Sequence, residues 1–390
     1  MAADQYAPMK TSRERILTTH VGSMPRPEKV VEMLSAQDRG DEYDLGAFDA
    51  VMRGAVTTIA EQQTEAGVDV ISDGEMSKIS YATYIRHRLT GFELGVVPRA
   101  TPSDLDAFPE YRDRLAAAGG TPKYERPICK GPIEVKDLSS LQKDIENMKA
   151  AQASSGAEEA FMNAASPGVI AVFQPNEYYA TYEAYIEALA EAMKEEYLLI
   201  VSSGLLLQID CPDLAMGRHI RFRDADDDEF LRNAEIQVEA LNYALSDVPA
   251  DRVRMHVCWG NYEGPHVHDV PLEKIIHLIF KAKPQAILFE AANPRHAHEW
   301  RVWQEADIPE ERVLIPGVLD STSNYVEHPQ LIADRLILYA NIVGRERVLA
   351  GSDCGFGTFA GFGAVHPSIT WAKLAAMAEG ARLASKTLWQ

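Results

Sequence analysis

The sequence predicts an α/β protein in which residues 1–390 form a single (β/α)8 TIM barrel domain. Short apolar segments alternate with helical segments along the chain, and this alternation is typical of parallel βαβ units. The segments number eight, which favours a closed barrel over an open sheet. A chain of 390 residues is long enough for one such barrel with an insertion.

The predicted strands are short, apolar and followed by polar residues. In chain order they are 15–23, 67–75, 160–167, 205–211, 252–258, 286–291, 313–318 and 348–353. The fifth shows the alternation of a buried strand most clearly, with Val253, Met255 and Val257 at every second position.

Helices are predicted between most of these strands, at 28–36, 46–66, 179–202, 227–246, 272–282 and from about residue 369. Gly204 is expected to close the third of them as a C-terminal cap. Residues 84–157, approximately, do not keep the strand–helix rhythm. They are predicted to form a long insertion between strands 2 and 3, for which we consider the roles of a lid and of a contact in a homo-oligomer.

The composition excludes several classes of partner. The formal net charge of −20 disfavours binding to nucleic acid. No apolar stretch is long enough for a membrane span, and the N-terminal residues lack the apolar core of a signal peptide. Four cysteines in so long a chain do not suggest a disulfide framework. We therefore expect a cytoplasmic protein with reduced thiols.

Residues suited to binding a metal follow three of the predicted strands. His256 and Cys258 are two residues apart on the fifth strand, so their side chains share a face. Glu290 and Cys354 follow the sixth and eighth strands, and the carboxyl ends of all strands meet at one end of a barrel. Two thiolates, an imidazole and a carboxylate suit Zn²⁺ better than Mg²⁺ or Ca²⁺. The sequence therefore predicts a zinc site.

Six segments resemble the C-terminal catalytic barrel of cobalamin-independent methionine synthase: TTHVGSMPRP, ISDGEM, LLLQIDCPDLA, HVCWGN, ILFEAANPR and GSDCGFGTF. They occur in the family order on successive predicted strands, and the resemblance is weakest in the insertion. It implies a short, single-barrel member of the family, with His256, Cys258, Glu290 and Cys354 as the zinc ligands. It also implies an enzyme that transfers a methyl or alkyl group to a zinc-activated thiol, such as homocysteine or a coenzyme M-like thiol.

The same resemblance suggests where the substrates bind. It implies that Ser23, Glu75 and Asp210 hold the charged ends of the thiol substrate, and Glu75 and Asp210 are also candidates for catalysis. Phe173 is the rough counterpart of the aromatic residue on which the family stacks the folate pterin. Two further candidates are suggested by their positions in the sequence: His20 for a substrate contact or a structural hydrogen bond, and Arg295 for an anionic substrate group.

One departure from the family concerns the proton donor. The family has a proton-donating His after strand seven, in a D-x-H-S setting, whereas this chain reads Asp-Ser-Thr-Ser-Asn at 320–324. Tyr325 and His328 follow and are candidates for the missing acid. Two alternative functions stay open: an epoxyalkane:coenzyme M transferase, which shares the H-x-C and distant Cys pattern, and a zinc hydrolase on the same barrel. Paired cysteine ligands argue against the hydrolase.

A second group of metal-binding residue types stands in the segment GPHVHD. His266, His268 and Asp269 could form a second metal site. We expect instead a solvent-facing loop that follows the predicted zinc ligands.

Overall fold

The structure, a computed structural model, describes residues 6–95, 102–117 and 126–390. Seven strands form a parallel sheet and two form an antiparallel pair. In chain order the strands are β1 Val70–Ser72, β2 Phe92–Gly95, β3 Arg126–Cys129, β4 Glu159–Ala165, β5 Leu206–Asp210, β6 Val253–Val257, β7 Ala286–Phe289, β8 Val313–Leu319 and β9 Gly351–Ser352. The large sheet has the order β1-β4-β5-β6-β7-β8-β9.

The segment around Thr18 closes this sheet into a barrel. Thr18 forms a parallel bridge with Ala350, next to β9. On its other side, the N–H of Val70 in β1 donates to the carbonyl oxygen of Thr18 at 3.0 Å. The segment therefore acts as an eighth parallel strand between β9 and β1. The predicted (β/α)8 TIM barrel is confirmed.

Helices surround the barrel. They are α1 Glu28–Arg39, α2 Leu45–Glu65, α3 Pro109–Ala117, α4 Ser139–Ser155, α5 Pro167–Phe173, α6 Tyr182–Ser202, α7 Asp227–Ala244, α8 Leu272–Lys281, α9 Trp300–Glu305, α10 Pro329–Val343 and α11 Pro367–Leu388. Every helix predicted above is present; α3 and α4 belong to the predicted insertion, and α5, α9 and α10 are additional. Gly204 follows α6 with φ +95°, a conformation that glycine adopts readily.

Several helices begin at a side chain that caps their first turn. Asp44, Ser166, Thr181 and Asp226 precede α2, α5, α6 and α7, and each accepts a hydrogen bond from a backbone N–H three residues later. Such a cap satisfies one of the free donors at the start of a helix and contributes about 1 kcal/mol. The local sequence therefore determines where these helices begin.

The segment between β1 and β4 contains the predicted insertion at approximately 84–157. Its antiparallel strands β2 and β3 pair with Glu93 opposite Ile128. Residues 96–101 and 118–125, which belong to the same predicted insertion, lie outside the described residues. Its last helix, α4, packs against α2 and precedes β4 in the position of a barrel helix.

Alternation along the strands separates the barrel interior from the helical layer. Leu288 and Ile315 belong to a cluster of apolar side chains inside the barrel, whereas their neighbours Ile287 and Leu314 pack with the helices. On β6 the same period places Arg254 and His256 on the interior face. The apolar interior therefore gives way to functional groups towards the carboxyl ends of the strands.

Within the described ranges, the helices include none whose length and apolar character would suit a membrane crossing.

Candidate metal centre and cavity

Three of the predicted ligands meet at the carboxyl end of the barrel. One donor atom from each of His256, Cys258 and Cys354 lies within 4.8 Å of the others, and all three side chains are buried. The Sγ atoms of Cys258 and Cys354 are 3.0 Å apart. The Nε2 atom of His256 lies 3.6 Å from the Sγ atom of Cys354. These atoms form a compact nitrogen–sulfur donor set.

The electrostatic surroundings keep both thiols protonated when no cation is bound. A hydrogen bond with Cys354 lowers the pKa of the Cys258 thiol, but burial and the Glu290 carboxylate outweigh it and raise this pKa above its usual value. Burial, Cys258 and Glu290 raise the pKa of Cys354 well above its usual value. A metal ion would displace these protons, because the thiolate is the form that binds metals.

Glu290, the fourth predicted ligand, is adjacent to the cluster but is held by other partners. Its Oε1 atom accepts a hydrogen bond from the backbone N–H of Trp259 at 2.8 Å. Its Oε2 atom accepts from Asn293 Nδ2 at 2.8 Å and from Arg295 Nη2 at 2.6 Å. These donors compensate the charge of Glu290, so in this arrangement its carboxylate does not join the three clustered donors.

Asp353 fixes the loop that carries Glu290. Its carboxylate accepts hydrogen bonds from the backbone N–H groups of Ala291, Ala292 and Asn293, each at 2.8 Å. Gly317 on β8 makes room for it, since a Cβ atom there would lie 2.0 Å from Asp353 Oδ1. The loop after β7 is thus tied to the residue that precedes Cys354.

Asp210 stands beside the predicted ligand His256. The two residues are opposite each other in the pairing of β5 with β6, and Asp210 Oδ1 lies 3.4 Å from His256 Nδ1. Asn163 Nδ2 donates to the other Asp210 oxygen at 3.0 Å. A carboxylate on the far nitrogen of a ligating imidazole fixes the orientation and tautomer of the ring. Asp210 is therefore placed to hold Nε2 of His256 towards the sulfur atoms.

A cavity of about 410 Å³ opens over the cluster of His256, Cys258 and Cys354. His256, Cys258 and Cys354 line it together with three predicted substrate residues, Ser23, Glu75 and Asp210. Much of the remaining wall is apolar or aromatic: Val21, Tyr81, Leu105, Leu115, Phe173, Met216, Ile220, Phe359 and Phe362. The space is therefore suited to a ligand with a substantial apolar part.

Glu75, an acid of this cavity, has an unusual backbone conformation and a shifted pKa. Its φ of +57° is rare for a residue with a side chain. Burial raises its pKa to about 7, against the opposing effect of Lys78 and Arg26. Glu75 Oε2 and Arg26 Nη2 are 3.8 Å apart, and both are buried without a hydrogen-bond partner. Glu75 lines the cavity, so its Oε2 atom is available to a charged group of a ligand.

Three sequence candidates lie elsewhere. His20 is fully buried, close to Gln63 at 2.6 Å, and burial lowers its pKa to about 4, so its ring is neutral and structural. Arg295 pairs with Glu290 and Asp269. The Tyr325 side chain is 81% exposed, and the described cavity wall includes none of these three.

The loop that contains GPHVHD differs from the sequence expectation. His268 is exposed as expected, but His266 is only 6% exposed and contacts Asp269 at 3.0 Å. The loop is thus folded back onto the protein at this histidine. Sequence reasoning also missed His219 and Tyr262, two cavity residues that follow β5 and β6. Their position after strand ends is the signal that could have identified them.

The comparisons with known proteins agree with this geometry. The family model described as "Cobalamin-independent synthase, Catalytic domain" matches residues 16–98. The methionine synthase of Saccharolobus solfataricus is 24% identical over 376 residues, which cover 95% of each chain. The methionine synthase of Sulfolobus acidocaldarius is 23% identical over 342 residues, 87% of this chain and 85% of that one.

Among solved structures, a B12-independent methionine synthase from Shewanella sp. W3-18-1, in complex with selenomethionine, has a similar fold. Its TM-score is 0.67 at 16% identity, covering 96% of this chain and 99% of the other. The resemblance inferred from the six sequence segments is confirmed, whereas the link to the epoxyalkane branch stays a prediction. The chain is similar in sequence to methionine synthases and, over residues 16–98, to the catalytic domain of the cobalamin-independent synthases, and its fold is similar to that of a B12-independent methionine synthase.

Proposed function

We propose that this protein is a cytoplasmic, zinc-dependent transferase that moves a methyl or alkyl group onto a thiol. The observation that carries the proposal is the convergence of His256, Cys258 and Cys354 at the base of a largely apolar cavity. The similarity to methionine synthases supports a methyl group as the transferred group and a homocysteine-like thiol as the acceptor.

The donor set fits zinc. Imidazole nitrogen and cysteine sulfur are ligands that Zn²⁺ prefers in proteins, and His256, Cys258 and Cys354 would supply one nitrogen and two sulfur atoms that lie within 4.8 Å of one another. Three protein ligands leave a fourth position for a substrate. When a substrate thiol occupies that position, zinc would favour its thiolate form at neutral pH.

Glu290 is proposed as an additional ligand by the resemblance. In the structure its oxygens are occupied by Trp259, Asn293 and Arg295. Oε2 accepts two of these hydrogen bonds and Oε1 accepts one, so ligation by Glu290 would use the remaining lone pair of Oε1.

The chain's own residues bind and orient the thiol substrate. A free amino acid carries a cationic amino group and an anionic carboxylate. Glu75 and Asp210 offer carboxylates to the former, while Ser23 offers a hydroxyl donor to the latter. Glu75, with a pKa of about 7, also accepts or releases a proton near neutrality. The aromatic wall, with Phe173 and Tyr81, excludes water from the reacting atoms.

The transfer itself forms one bond and breaks one bond. The substrate sulfur bonds to the transferred carbon, and the donor's leaving atom departs with the electron pair of the broken bond. A poor leaving group such as a folate amine then needs a proton, and a positioned acid typically accelerates such a step by about 10²–10⁴-fold. Among the described residues of the cavity wall, none comes from 320–324, where the family has its histidine.

That difference favours an alternative electrophile. Epoxide opening by a thiol, as in epoxyalkane:coenzyme M transferases, is driven by ring strain and depends less on a strong acid. We retain it as the second candidate function. Hydrolysis by zinc-bound water is disfavoured, because two thiolate donors make zinc a weaker Lewis acid.

The test combines zinc content with transfer. Purified protein is expected to bind zinc through the cysteine cluster and to alkylate a small thiol, with the product identified by mass. Cys354→Ser is expected to lose this zinc and at least 100-fold of the activity. Cys129→Ser is the matched control, because its sulfur is buried outside the cluster. Full zinc and activity in Cys354→Ser would place the site elsewhere.

A further inference from the structure

A second set of potential metal ligands lies beside the cavity and contains no cysteine. One donor atom from each of Asp104, His219 and Asp269 lies within 4.8 Å of the others. The three residues come from the segment between β2 and β3, from the loop after β5 and from the loop after β6. Residues far apart in sequence therefore present two carboxylates and an imidazole to one point.

The separations of these atoms correspond to those of ligands around one small cation. His219 Nδ1 lies 3.3 Å from Asp269 Oδ1 and 3.5 Å from Asp104 Oδ2. Ligand bonds of about 2.0–2.2 Å in tetrahedral geometry separate nitrogen and oxygen donors by roughly 3.3–3.5 Å. A direct hydrogen bond would usually be shorter, near 2.7–3.2 Å.

His219 gives a second, independent observation. Its side chain is 1% exposed, and neither ring nitrogen has a hydrogen-bond partner. Buried polar groups are nearly always paired, and leaving one unpaired typically costs about 1–3 kcal/mol. A cation between Nδ1 and the two carboxylates would satisfy this nitrogen.

The neighbouring residues hold the two carboxylates in place. Tyr262 donates its hydroxyl hydrogen to Asp104 Oδ2 at 3.0 Å, and the backbone N–H of His268 donates to Asp104 Oδ1 at 2.8 Å. Around Asp269, His296 Nε2 lies 3.0 Å from Oδ2, and Arg295 donates to the same oxygen at 3.2 Å. Such supporting hydrogen bonds are typical of carboxylates that ligate metals.

Asp269 is also in contact with several basic side chains, which surround its carboxylate on both sides. Its Oδ2 atom faces Arg295 and His296, while Oδ1 faces His219 and His266.

We propose that Asp104, His219 and Asp269 form a second metal site, separate from the cysteine cluster, for a first-row divalent cation such as Zn²⁺ or Mn²⁺. Imidazole and carboxylate ligands together suit these ions, whereas thiophilic ions prefer the cysteine site. Two carboxylates balance the double positive charge. Because His219 lines the cavity, a free coordination position would accept an oxygen atom of a ligand bound there. This site does not depend on the proposed transfer reaction.

The experiment counts metal ions bound by the full-length protein. After removal of metals with a chelator, Zn²⁺ is titrated back and bound zinc is measured after dialysis. Wild type is expected to bind two ions per chain, and His219→Ala and Cys354→Ser one each. Mn²⁺, followed by electron paramagnetic resonance, is expected to bind Cys354→Ser but to bind His219→Ala at least 100-fold more weakly.

Two further variants separate ligation from folding. His268→Ala removes an exposed neighbouring histidine and is expected to retain both ions. Asp104→Asn keeps the size of a proposed ligand but removes its charge and one of its two acceptor oxygens, so it should lose the second ion while it retains the cysteine-bound one. One zinc per wild-type chain, lost in Cys354→Ser and unchanged in His219→Ala and Asp104→Asn, would overturn the proposal. The cluster would then be a hydrogen-bonded network without a metal.

Discussion

Single residues decide the chemistry of the cavity, and Glu75 is the clearest case. It lies in a left-handed backbone conformation, fully buried, facing Arg26 at 3.8 Å. Residues in such conformations cost about 1–3 kcal/mol and are concentrated at functional sites. The sequence motif ISDGEM identifies Glu75 as a candidate, but only the fold shows that its pKa is about 7.

Replacing Glu75 should change how stability depends on pH. Its folded pKa of about 7 lies above the value near 4.3 expected in the unfolded chain. Its contribution to stability is therefore complete below about pH 4.3 and is lost as the pH rises through about 7. Urea unfolding of metal-free protein should show a free energy of unfolding that falls between these values more steeply in wild type than in Glu75→Gln.

The comparison with Glu75→Gln is needed because other buried acids act in the same direction. Burial also raises the pKa of Asp213 to about 7 and that of Asp144 to about 6. Both remain in the variant, so the difference between the two pH profiles isolates Glu75. Parallel profiles would contradict the assignment.

The meeting of His256, Cys258 and Cys354 could be predicted from the sequence, because each lies in or shortly after a strand whose pattern is clear. His256 and Cys258 share a face by the period of β6, and Cys354 follows β9 after one intervening residue. The position of Glu290 was less predictable, since it depends on the side chains of Arg295 and Asn293. No local pattern specifies such contacts.

Some helices of the outer layer pack very closely against neighbouring loops, because a glycine at the contact has no side chain. Gly168, in the first turn of α5, is an example: a Cβ atom there would lie 1.9 Å from Asp213 Oδ2. That carboxylate accepts a hydrogen bond from Ser166, the capping residue of the same helix. The start of α5 is thus packed directly against the turn that follows β5.

Gly168→Ala should therefore destabilise the protein. The added methyl group must displace Asp213 or the helix, and overpacking of this kind typically costs about 1–3 kcal/mol. Gly54→Ala is the control, because Gly54 is an exposed glycine of α2, and a Cβ atom there would have no neighbour within 4 Å. There alanine should stabilise by about 0.5–1 kcal/mol. Urea midpoints that move together in both variants would refute this packing.

At the scale of elements, the sequence predicted strands better than it predicted the segment at 84–157. The barrel strands have alternating apolar residues and polar ends, whereas this segment lacks a sustained period. The segment contributes three residues to the cavity wall, Leu105, Leu115 and Arg126. It also brings Asp104 close to His219. Both arrangements depend on contacts between residues far apart in the sequence. The motif GPHVHD contains metal-binding residue types, but in the folded chain only Asp269 of this motif joins the group of Asp104 and His219, and His268 is exposed.

At the scale of the whole molecule, several loops together build a cavity whose wall is mostly apolar and aromatic. The apolar wall suits an apolar alkyl donor. The described part of the wall includes none of residues 320–324, where the resemblance would place a proton donor. A folate amine needs a strong proton donor, whereas a strained or activated electrophile does not. Under the proposed function, we therefore expect an activated apolar donor.

We accordingly expect weak or no methionine formation from methyltetrahydrofolate and homocysteine. Transfer from a methylcobalamin-like donor, or from a short epoxide to a small thiol, should be at least 10-fold faster. Parallel assays with the three donors and the same zinc-loaded protein would test this, with product masses as the readout. Efficient folate-dependent methionine synthesis would show that another group, such as Glu75 or His219, supplies the proton.

The closure of the barrel by the segment around Thr18 has a consequence for how the chain acquires its structure. This segment pairs with β1 on one side and with Ala350, more than 300 residues away, on the other. During synthesis on the ribosome the sheet must therefore remain open until residues near 350 have emerged, with both unpaired edges accessible to other chains. Chaperones that shield such edges would protect the nascent protein during this interval, and the final pairing is the step that ends its exposure.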